Sequence, residues 1–354
     1  KQEANKMFQR LLIIDGSSVL NESYYGTLPE QMKREKDRSK WHLWYHEMLR
    51  NKEGIITNAL FTTMKRIEKI IEEQHFKYVA VAWDISSDTF RKRMYPEYKG
   101  NREKPDESFI SQREIFPRML AELGYPVICM NGYEADDCIG SLAKKFENQI
   151  PVVILSGDKD MTQLVSPSTQ LWFSCKKPNQ AEELFDDMMQ GEQQISLSQY
   201  GLPDKIFPVN MKSVPYFMGV NSNQVVDLKA ISGDTSDNYP GIAGIGEKGA
   251  IALLKYFGSI DKIIEVINSG ALTDKDKLKE LKDDFTTQTG TRLPLAKLLD
   301  PDFEKNARFF QKIAQIETSV PFNITLDQLK LSIDQQKRRQ WYEYLEFYSL
   351  LKTA

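Results

Sequence analysis

The stretch Leu11-Leu-Ile-Ile-Asp-Gly16 is a short apolar run that ends on a carboxylate and a glycine. Consecutive apolar residues closed by a turn signal predict a buried β-strand. The same pattern recurs at Tyr78-Val-Ala-Val-Ala-Trp83, which Asp84 follows, and at Pro151-Val-Val-Ile-Leu155, which Ser-Gly-Asp-Lys-Asp160 follows. These three runs decide the expected fold, because each predicts a buried strand with acidic residues at its carboxyl end.

Helical patterns separate these strands along the chain. Apolar residues recur at helical spacing over residues 55–74, and residues 109–123 and 134–146 also predict helices. Further strands are predicted at residues 125–130 and 170–174. Strands that alternate with helices predict an α/β fold with a mostly parallel central sheet, whose functional crevice lies beyond the carboxyl ends of the strands.

The second part of the chain has a different pattern, because it is mostly helical after residue 200. We therefore predict an α/β core over residues 1–200 and a helical region over residues 201–354. Residues 30–50 and 175–200 are polar and irregular, so both are predicted to be loops or insertions.

Acidic side chains cluster where the predicted strands end. A parallel sheet would bring seven of them to one edge: Asp15, Asp84, Glu134, Asp136, Asp137, Asp158 and Asp160. Each one taken alone is also explained as a turn former or a helix N-cap, and acids such as Glu134 and Asp137 suit a helix N-terminus. Seven carboxylates at one edge would repel each other strongly, and bound cations remove that cost.

The expected cation is Mg²⁺, with Mn²⁺ as a substitute. The three histidines, His42, His46 and His75, are not at metal-ligand spacing, so the ligands would be oxygens. Two divalent ions about 4 Å apart can activate a water and stabilise the leaving oxygen in phosphodiester hydrolysis. The acids therefore predict a metal-dependent nuclease site.

A basic run follows the second strand. The stretch Arg91-Lys-Arg-Met-Tyr-Pro-Glu-Tyr-Lys-Gly-Asn-Arg-Glu-Lys104 carries six basic residues against two acids, with Tyr95 and Tyr98 interleaved. Cations beside aromatic rings suit a single-stranded backbone and its bases. A solvated charged helix is the alternative interpretation, and the position directly after a metal-site strand favours nucleic-acid binding.

A glycine-rich stretch, Gly241-Ile-Ala-Gly-Ile-Gly-Glu-Lys-Gly-Ala250, lies between predicted helices at residues 224–231 and 247–257. Its glycines allow a tight turn, so that backbone N–H groups can approach a phosphate at a helix N-terminus. This pattern is typical of a helix-hairpin-helix, which grips duplex backbone without reading sequence. Just before it, Gly233-Asp-Thr-Ser-Asp-Asn238 adds two acids that could complete a second metal site.

Composition is that of an ordinary globular protein. The 354 residues are 41% hydrophobic and 27% charged, with a net charge of −3. The negative balance argues against a nucleic-acid binder when taken alone, but it hides local clustering. The cysteines Cys129, Cys138 and Cys175 form no CxxC pair, so they are expected to be reduced thiols of a cytoplasmic protein. No secretory signal or membrane span is expected.

Together these motifs resemble the 5′ nuclease domain of bacterial DNA polymerase I and the related flap endonucleases. The similarity covers nearly the whole chain, and the motifs come in the family's order. The matching runs are Ile14-Asp-Gly-Ser-Ser18, Thr89-Phe-Arg91, Tyr95-Pro-Glu-Tyr-Lys-Gly-Asn-Arg102, Gly132-Tyr-Glu-Ala-Asp-Asp-Cys-Ile-Gly140, Ser156-Gly-Asp-Lys-Asp-Met-Thr-Gln-Leu164, Gly233 to Asn238, Gly241 to Ala250, and Leu345-Glu-Phe-Tyr-Ser-Leu350.

The resemblance implies a role for each matched position. Metal ligands, direct or through water, would be Asp15, Asp84, Glu134, Asp136, Asp137, Asp158, Asp160, Asp234 and Asp237, with Asp136, Asp158 and Asp160 the first candidates for direct contact. Lys99 would hold the scissile phosphate with help from Arg102, and Tyr98 would be a third catalytic residue. Contacts to DNA would come from Arg91, Arg93, Gly241, Gly244, Gly246 and Lys248.

The resemblance also implies the architecture and the reaction. Its fold would be a PIN-like nuclease core with a helical arch at about residues 88–115, followed by a helical region with a helix-hairpin-helix at about residues 224–258. The reaction would be that of a structure-specific 5′-3′ exonuclease and 5′-flap endonuclease in DNA replication and repair, using two Mg²⁺ ions, with K⁺ a candidate ligand at the hairpin. The substrates would be DNA with 5′ single-stranded flaps or ends, with RNA–DNA primers as a further candidate, and a monomer is expected.

Several features depart from the family pattern. Asn21 and Glu22 stand where the family commonly has a Tyr and an Arg, so the charge next to the expected phosphate is reversed. Tyr239 replaces a common Ile, and residues 30–50 and 175–210 are longer than usual. No polymerase-like segment follows, so a free-standing nuclease is expected.

Three other functions are alternatives to this one. A catalytically weakened protein that binds branched DNA would explain Glu22, but the nine acids and Lys99 are all present. A Toprim-like metal site would use Glu134 with Asp158 and Asp160, and would leave the other acids and the hairpin without a role. A phosphatase with an Asp nucleophile is disfavoured because Ser17 stands where its second Asp is expected.

Overall fold

The computed structural model describes residues 9–177, 179–189, 197 and 201–351. Its centre is one six-stranded sheet with the strand order β3-β2-β1-β4-β5-β6. All neighbouring strands are parallel except β5 and β6, which are antiparallel. The strands are β1 Leu11–Asp15, β2 Tyr78–Ala82, β3 Val127–Ile128, β4 Val152–Ser156, β5 Thr169–Ser174 and β6 Ile206–Val209.

Helices cover both faces of this sheet and form the rest of the described chain. In order they are α1 Gly16–Gly26, α2 Glu30–Arg34, α3 Asn58–Glu73, α4 Phe90–Met94, α5 Glu107–Leu123, α6 Ala135–Phe146, α7 Gln180–Met188, α8 Val214–Met218, α9 Val225–Ser232, α10 Glu247–Phe257, α11 Ile260–Asn268, α12 Lys275–Thr289, α13 Leu295–Leu298, α14 Phe303–Ala314, α15 Gln335–Tyr344 and α16 Tyr348–Leu351. Turns of 3₁₀ helix lie at Arg38–Glu47, Lys159–Leu164, Ser222–Gln224 and Leu326–Leu329.

The central strand β1 shows why the sheet is buried on both sides. Leu11 and Ile13 belong to one apolar cluster, while Leu12 and Ile14 belong to another. Alternate side chains of a strand point to opposite faces, so β1 lies between two cores. The first cluster continues without a break into α9, α10, α11 and α14, so the helical region shares one core with the sheet.

Most predicted elements are confirmed, and the differences have local causes. The strand predicted at residues 125–130 is only the two residues of β3, because it lies at the sheet edge beside the last residues of β2 and begins after Pro126, which has no N–H to donate. The prediction that the chain is mostly helical after residue 200 is confirmed, but it missed the strand β6, which pairs with β5. A four-residue edge strand containing Pro208 has too weak a pattern to identify.

The two predicted insertions differ from each other. Residues 30–50 are not irregular, because they contain α2 and the 3₁₀ segment Arg38–Glu47, whose Trp41 is buried. In the second insertion α7 is described, but residues 178, 190–196 and 198–200 lie outside the described residues. Across the part of the chain that the structure describes, no helix has the length and apolarity needed to cross a membrane.

The turn between α9 and α10 depends on a glycine in the left-handed region. Gly241 has φ +61°, and a Cβ there would lie 2.2 Å from the backbone nitrogen of Gly233. Gly246, five residues on in the same turn, is in open space.

We therefore expect Gly241→Ala to destabilise the fold by about 2–4 kcal/mol, since the left-handed conformation and the backbone clash both penalise a side chain. Gly246→Ala is the matched control and should change stability by about 0.5 kcal/mol or less. Urea denaturation of the two variants measures this difference. Equal midpoints for both variants would contradict this account of the turn.

Candidate active site

Three carboxylates stand at the carboxyl edge of the sheet because three adjacent strands end there. Asp15 closes β1 and is buried, and it accepts hydrogen bonds from Ser18 N at 2.9 Å and Ser156 Oγ at 2.7 Å. Asp84 follows β2 and accepts from Ser17 Oγ and from the backbone nitrogen at the start of α6, both at 2.8 Å. These hydrogen bonds fix the carboxylates at the sheet edge.

The remaining acids of this group lie beside them. Asp158 follows β4, is exposed, and accepts from the Asp160 backbone nitrogen at 2.8 Å. Asp136 lies in the first turn of α6. Together with Asp15 and Asp84, these two acids line one cavity of about 1020 Å³. The structure thus brings Asp15, Asp84, Asp136 and Asp158 together, as the sequence predicts.

Burial and the repulsion of neighbouring acids make Asp15 and Asp136 costly to ionise. Burial first, and then the charges of Asp84 and Asp158, raise the pKa of Asp15 to about 7. The pKa of Asp136 is raised well above its usual range, mainly by burial, although Lys99 opposes this. Carboxylates held near each other in a dehydrated site favour protons or bound cations.

Cations of the predicted arch segment face a second set of acids. Lys99 Nζ lies 2.9 Å from Glu134 Oε1, and Arg102 Nη2 lies 2.8 Å from Asp237 Oδ1. The Tyr98 hydroxyl lies between the same two acids, 3.0 Å from Glu134 Oε2 and 2.8 Å from Asp237 Oδ2. Burial alone would lower the pKa of Lys99, but Glu134 and Asp237 outweigh it and raise that pKa.

A lysine that the sequence analysis did not identify joins the last two acids. Lys229 Nζ on α9 lies 2.5 Å from Asp160 Oδ1 and 2.6 Å from Asp234 Oδ2. Burial and the charge of Asp158 raise the pKa of Asp160 to about 7, even though Lys229 lowers it. A helical lysine in one sequence looks like any solvated lysine, so nothing in the pattern distinguishes Lys229.

The structure does not bring Asp137 into either group. This fully buried carboxylate accepts from Arg91 at 2.8 and 2.7 Å, from Glu134 N at 2.9 Å and from Glu317 N at 2.8 Å. These four donors occupy its acceptor positions. The capping alternative therefore fits Asp137 better than a metal-ligand role, since it closes the capping box of α6 with Glu134.

Of the two arginines predicted to bind DNA, Arg91 is not placed for that role. Arg91 is buried and donates to Asp137, Glu134 and the carbonyls of Ile313 and Gln315, so it cannot reach a substrate. Arg91, in the Thr89-Phe-Arg run that resembles the family, therefore has a structural role. Arg93, two residues on, is exposed and bonds only to Asp88 among its described partners.

Some of the residues in the glycine-rich turn that are predicted to contact DNA are exposed to solvent. Gly244, Gly246 and Lys248 are exposed, and Gly246 is the N-cap of α10. Gly241 is buried against Gly233, so it shapes the turn and is not placed to contact DNA.

The side-chain atoms that converge on the cavity are of the type that binds a hard divalent cation. All the converging ligands are carboxylate oxygens, which Mg²⁺ and Mn²⁺ favour. Over the described residues, however, no group of three or more His, Cys, Asp or Glu side chains is already spaced to hold an ion. Lys99, Arg102 and Lys229 instead neutralise Glu134, Asp237, Asp160 and Asp234 directly.

Comparison with known proteins places this arrangement in a family. The family model described as "5'-3' exonuclease, N-terminal resolvase-like domain" matches residues 10–193, and "5'-3' exonuclease, C-terminal SAM fold" matches residues 220–337. The chain belongs to the 5′-3′ exonuclease family. The sequence-based prediction of a 5′ nuclease is confirmed at this level.

Relatives of this family member include free-standing and fused proteins. The "5'-3' exonuclease" of Bacillus subtilis is 27% identical over 94% of this chain and 93% of that protein. DNA polymerase I of Lactococcus lactis is 30% identical over 98% of this chain, which spans only 32% of the polymerase. Bacteriophage T5 5′-exonuclease, solved with bound zinc, shares the fold at 17% identity, with a TM-score of 0.56 over 95% of this chain and 99% of that one.

The raised pKa of Asp15 gives a pH test. An ordinary value of 3.8 in the unfolded chain and about 7 in the folded one mean that the folded state binds the extra proton, so stability is lost as pH rises through 7. Asp15→Asn should therefore raise the melting temperature of the metal-free protein by more at pH 8 than at pH 5.5.

Added Mg²⁺ should likewise raise the wild-type melting temperature by more at pH 8, because it competes with protons for the carboxylates. Thermal melts of both proteins, with Mg²⁺ and with EDTA, measure these shifts. Shifts of the same size at the two pH values would argue against an unneutralised carboxylate at Asp15.

Removal of the buried arginine tests the structural assignment of Arg91. Arg91→Met leaves Asp137 buried without its cation, which should cost about 3–5 kcal/mol. The exposed Arg93→Met is the control and should stay within about 0.5 kcal/mol of wild type. Urea midpoints compare them, and a small, equal effect of both changes would rule out the structural role.

Proposed function

We propose that this protein is a structure-specific 5′ nuclease that hydrolyses DNA phosphodiesters as a 5′-3′ exonuclease and 5′-flap endonuclease in replication and repair. The observation that carries the proposal is the single cavity lined by Asp15, Asp84, Asp136 and Asp158 together with Lys99 and Arg102. Carboxylates for cations and basic groups for a phosphate thus share one opening, which is the requirement of metal-assisted phosphodiester hydrolysis.

Two Mg²⁺ ions are the proposed cofactors, and Mn²⁺ is expected to substitute. Asp15, Asp84, Asp136 and Asp158 would hold ions at the end of β1, and Asp160, Asp234, Asp237 and Glu134 would contribute from the other side. When bound, the ions would activate a water and stabilise the leaving oxygen. Bound zinc in the T5 protein supports a divalent-metal site in this fold.

The side chains of this protein position the substrate. Lys99 and Arg102 would hold the scissile phosphate by charge-assisted hydrogen bonds, which are stronger than neutral ones. Tyr98 orients Glu134 and Asp237 through its hydroxyl and so fixes the partners of both cations. Its one proton can bond only one of the two acids at a time.

DNA with 5′ single-stranded flaps or ends is the proposed substrate, and RNA–DNA primers are a further candidate. Residues 88–115 would guide the single strand as an arch. Here they comprise α4, tight turns and the start of α5, with Lys99 N donating to Asp237 O at 2.9 Å. The exposed turn before α10 would grip duplex as a helix-hairpin-helix, with K⁺ as a candidate ligand, and the protein would act as a monomer.

A branched-DNA binder without catalysis is the second candidate. The charge reversal at Glu22 favours it, because Glu22 lines the same cavity as the acids. Cleavage measurements separate the two functions.

The decisive substrate is a duplex with a labelled 5′ flap. With Mg²⁺ we expect cutting near the junction, and excess EDTA or Asp158→Ala should abolish it because the ligand set is broken. The exposed Asp302→Ala is the matched control and should cut as wild type does. Flap DNA that is bound but left intact, even with Mn²⁺, would favour the branched-DNA binder.

A further inference from the structure

The charge reversal at position 22 has a partner in the structure. Glu22 Oε2 lies 3.0 Å from Arg66 Nη1 on α3 and also accepts from the Ser174 hydroxyl. Arg66 Nη2 in turn donates to Ser174 Oγ at 2.7 Å. The guanidinium is thus held at two points, by α1 and by the last residue of β5.

Glu22 itself is held tightly in this position. Its Oε1 is buried without a hydrogen-bond partner, and a Cβ at Gly157 would lie only 1.9 Å from that atom. The absence of a side chain at residue 157 therefore leaves room for the Glu22 carboxylate beside Asp158. A glutamate that is packed this closely orients its arginine partner.

Arg66 still reaches the substrate cavity. Its side chain is 24% exposed, and it lines the same cavity as Asp15 and Asp158. Lys176, which follows β5, and Lys205, which precedes the antiparallel β6, line this cavity as well. The cavity therefore has a basic end that is separate from Lys99 and Arg102.

Strand order gives the position of this basic end. β4 lies between β1 and β5, so Ser174 is two strand positions from Asp15, or about 10 Å at the usual spacing. Lys99 and Glu134 adjoin Tyr98 and α6, which pack on the same face of the sheet as α9, whereas α1 and α3, which carry Glu22 and Arg66, pack on the opposite face. A strand whose scissile phosphate faces the acids would place a different phosphate near Arg66.

We propose that Arg66 binds a phosphate of the substrate strand next to the scissile one, and that Glu22 is the positioning residue that holds it there. The positive charge that the family commonly carries at position 22 on α1 is supplied here from α3. This inference rests on the proposed nuclease function and extends it to the substrate strand.

Binding of the flap duplex in EDTA at several salt concentrations tests Arg66. We expect Arg66→Gln to raise Kd about tenfold, because charge-assisted hydrogen bonds to phosphate are strong. The slope of log K against log salt should fall by about one unit, as for one lost phosphate contact. Lys65→Gln is the matched control, since Lys65 is exposed on the same helix and does not line the cavity.

Glu22 gives a test of sign. If Glu22 only repelled DNA, neutralising it would make the protein bind DNA more tightly. If Glu22 positions Arg66, neutralising it makes binding weaker. We therefore expect Glu22→Gln to raise Kd in the wild-type background and to leave Kd unchanged or lower it in the Arg66→Gln background. Steady-state cleavage by the single variants should show a raised KM with kcat largely kept.

The outcomes separate the two proposals. Wild-type protein that neither binds nor cuts flap DNA overturns the proposed function, and this inference with it. Wild-type protein that cuts, with an Arg66→Gln variant of unchanged Kd and salt slope, overturns the inference alone. Tighter binding by Glu22→Gln in the wild-type background also overturns it. A lowered melting temperature with an unchanged slope would show a purely structural role.

Discussion

The structure depends on holding carboxylates together at the carboxyl edge of the parallel strands. β2, β1 and β4 each end at an acid, and their order in the sheet makes Asp84, Asp15 and Asp158 neighbours. Repulsion would spread them, and hydrogen bonds from Ser17, Ser18, Ser156 and the first N–H groups of α6 oppose it. The site therefore stores electrostatic energy that a bound cation relieves.

Neutralisation of the acids follows a gradient across the site. Deep in the fold, Arg91 donates two hydrogen bonds to Asp137, whose other two donors are backbone N–H groups, and one to Glu134. Nearer the cavity, Lys99 and Arg102 each pair with one acid, and Lys229 pairs with both Asp160 and Asp234. Among the described residues, Asp15 at the end of β1 and Asp136 in the first turn of α6 have no ion pair: Asp15 accepts two hydrogen bonds, and Lys99 acts on Asp136 only as a nearby charge. Asp137 is thus paired with an arginine, whereas Asp15 and Asp136 are left in need of a cation.

The sequence predicts the strand ends, the positions of the acids and most helices, because these features depend on local patterns. Buried parallel strands have continuous apolar runs, and the turn residues after them mark the functional edge. Contacts between distant segments were not predictable in the same way. Arg91 looked like a DNA contact because its buried partners, Asp137 and the carbonyl of Ile313, are 46 and 222 residues away. Lys229 was missed for the same reason, and so was the pairing of β6 with β5.

The charge at position 22 alone does not predict whether the cavity can bind a phosphate, because the partner of Glu22 also contributes a charge. The reversal of charge looked like a loss of phosphate binding, because the sequence does not show which residue faces it. The structure puts Arg66 within hydrogen-bonding distance, so the local charge around the cavity is rearranged and not lost. A charged residue next to a phosphate site acts through the sum of its neighbours. The cavity therefore keeps a basic group at both ends of its acids, although position 22 is acidic and the whole chain carries a net charge of −3.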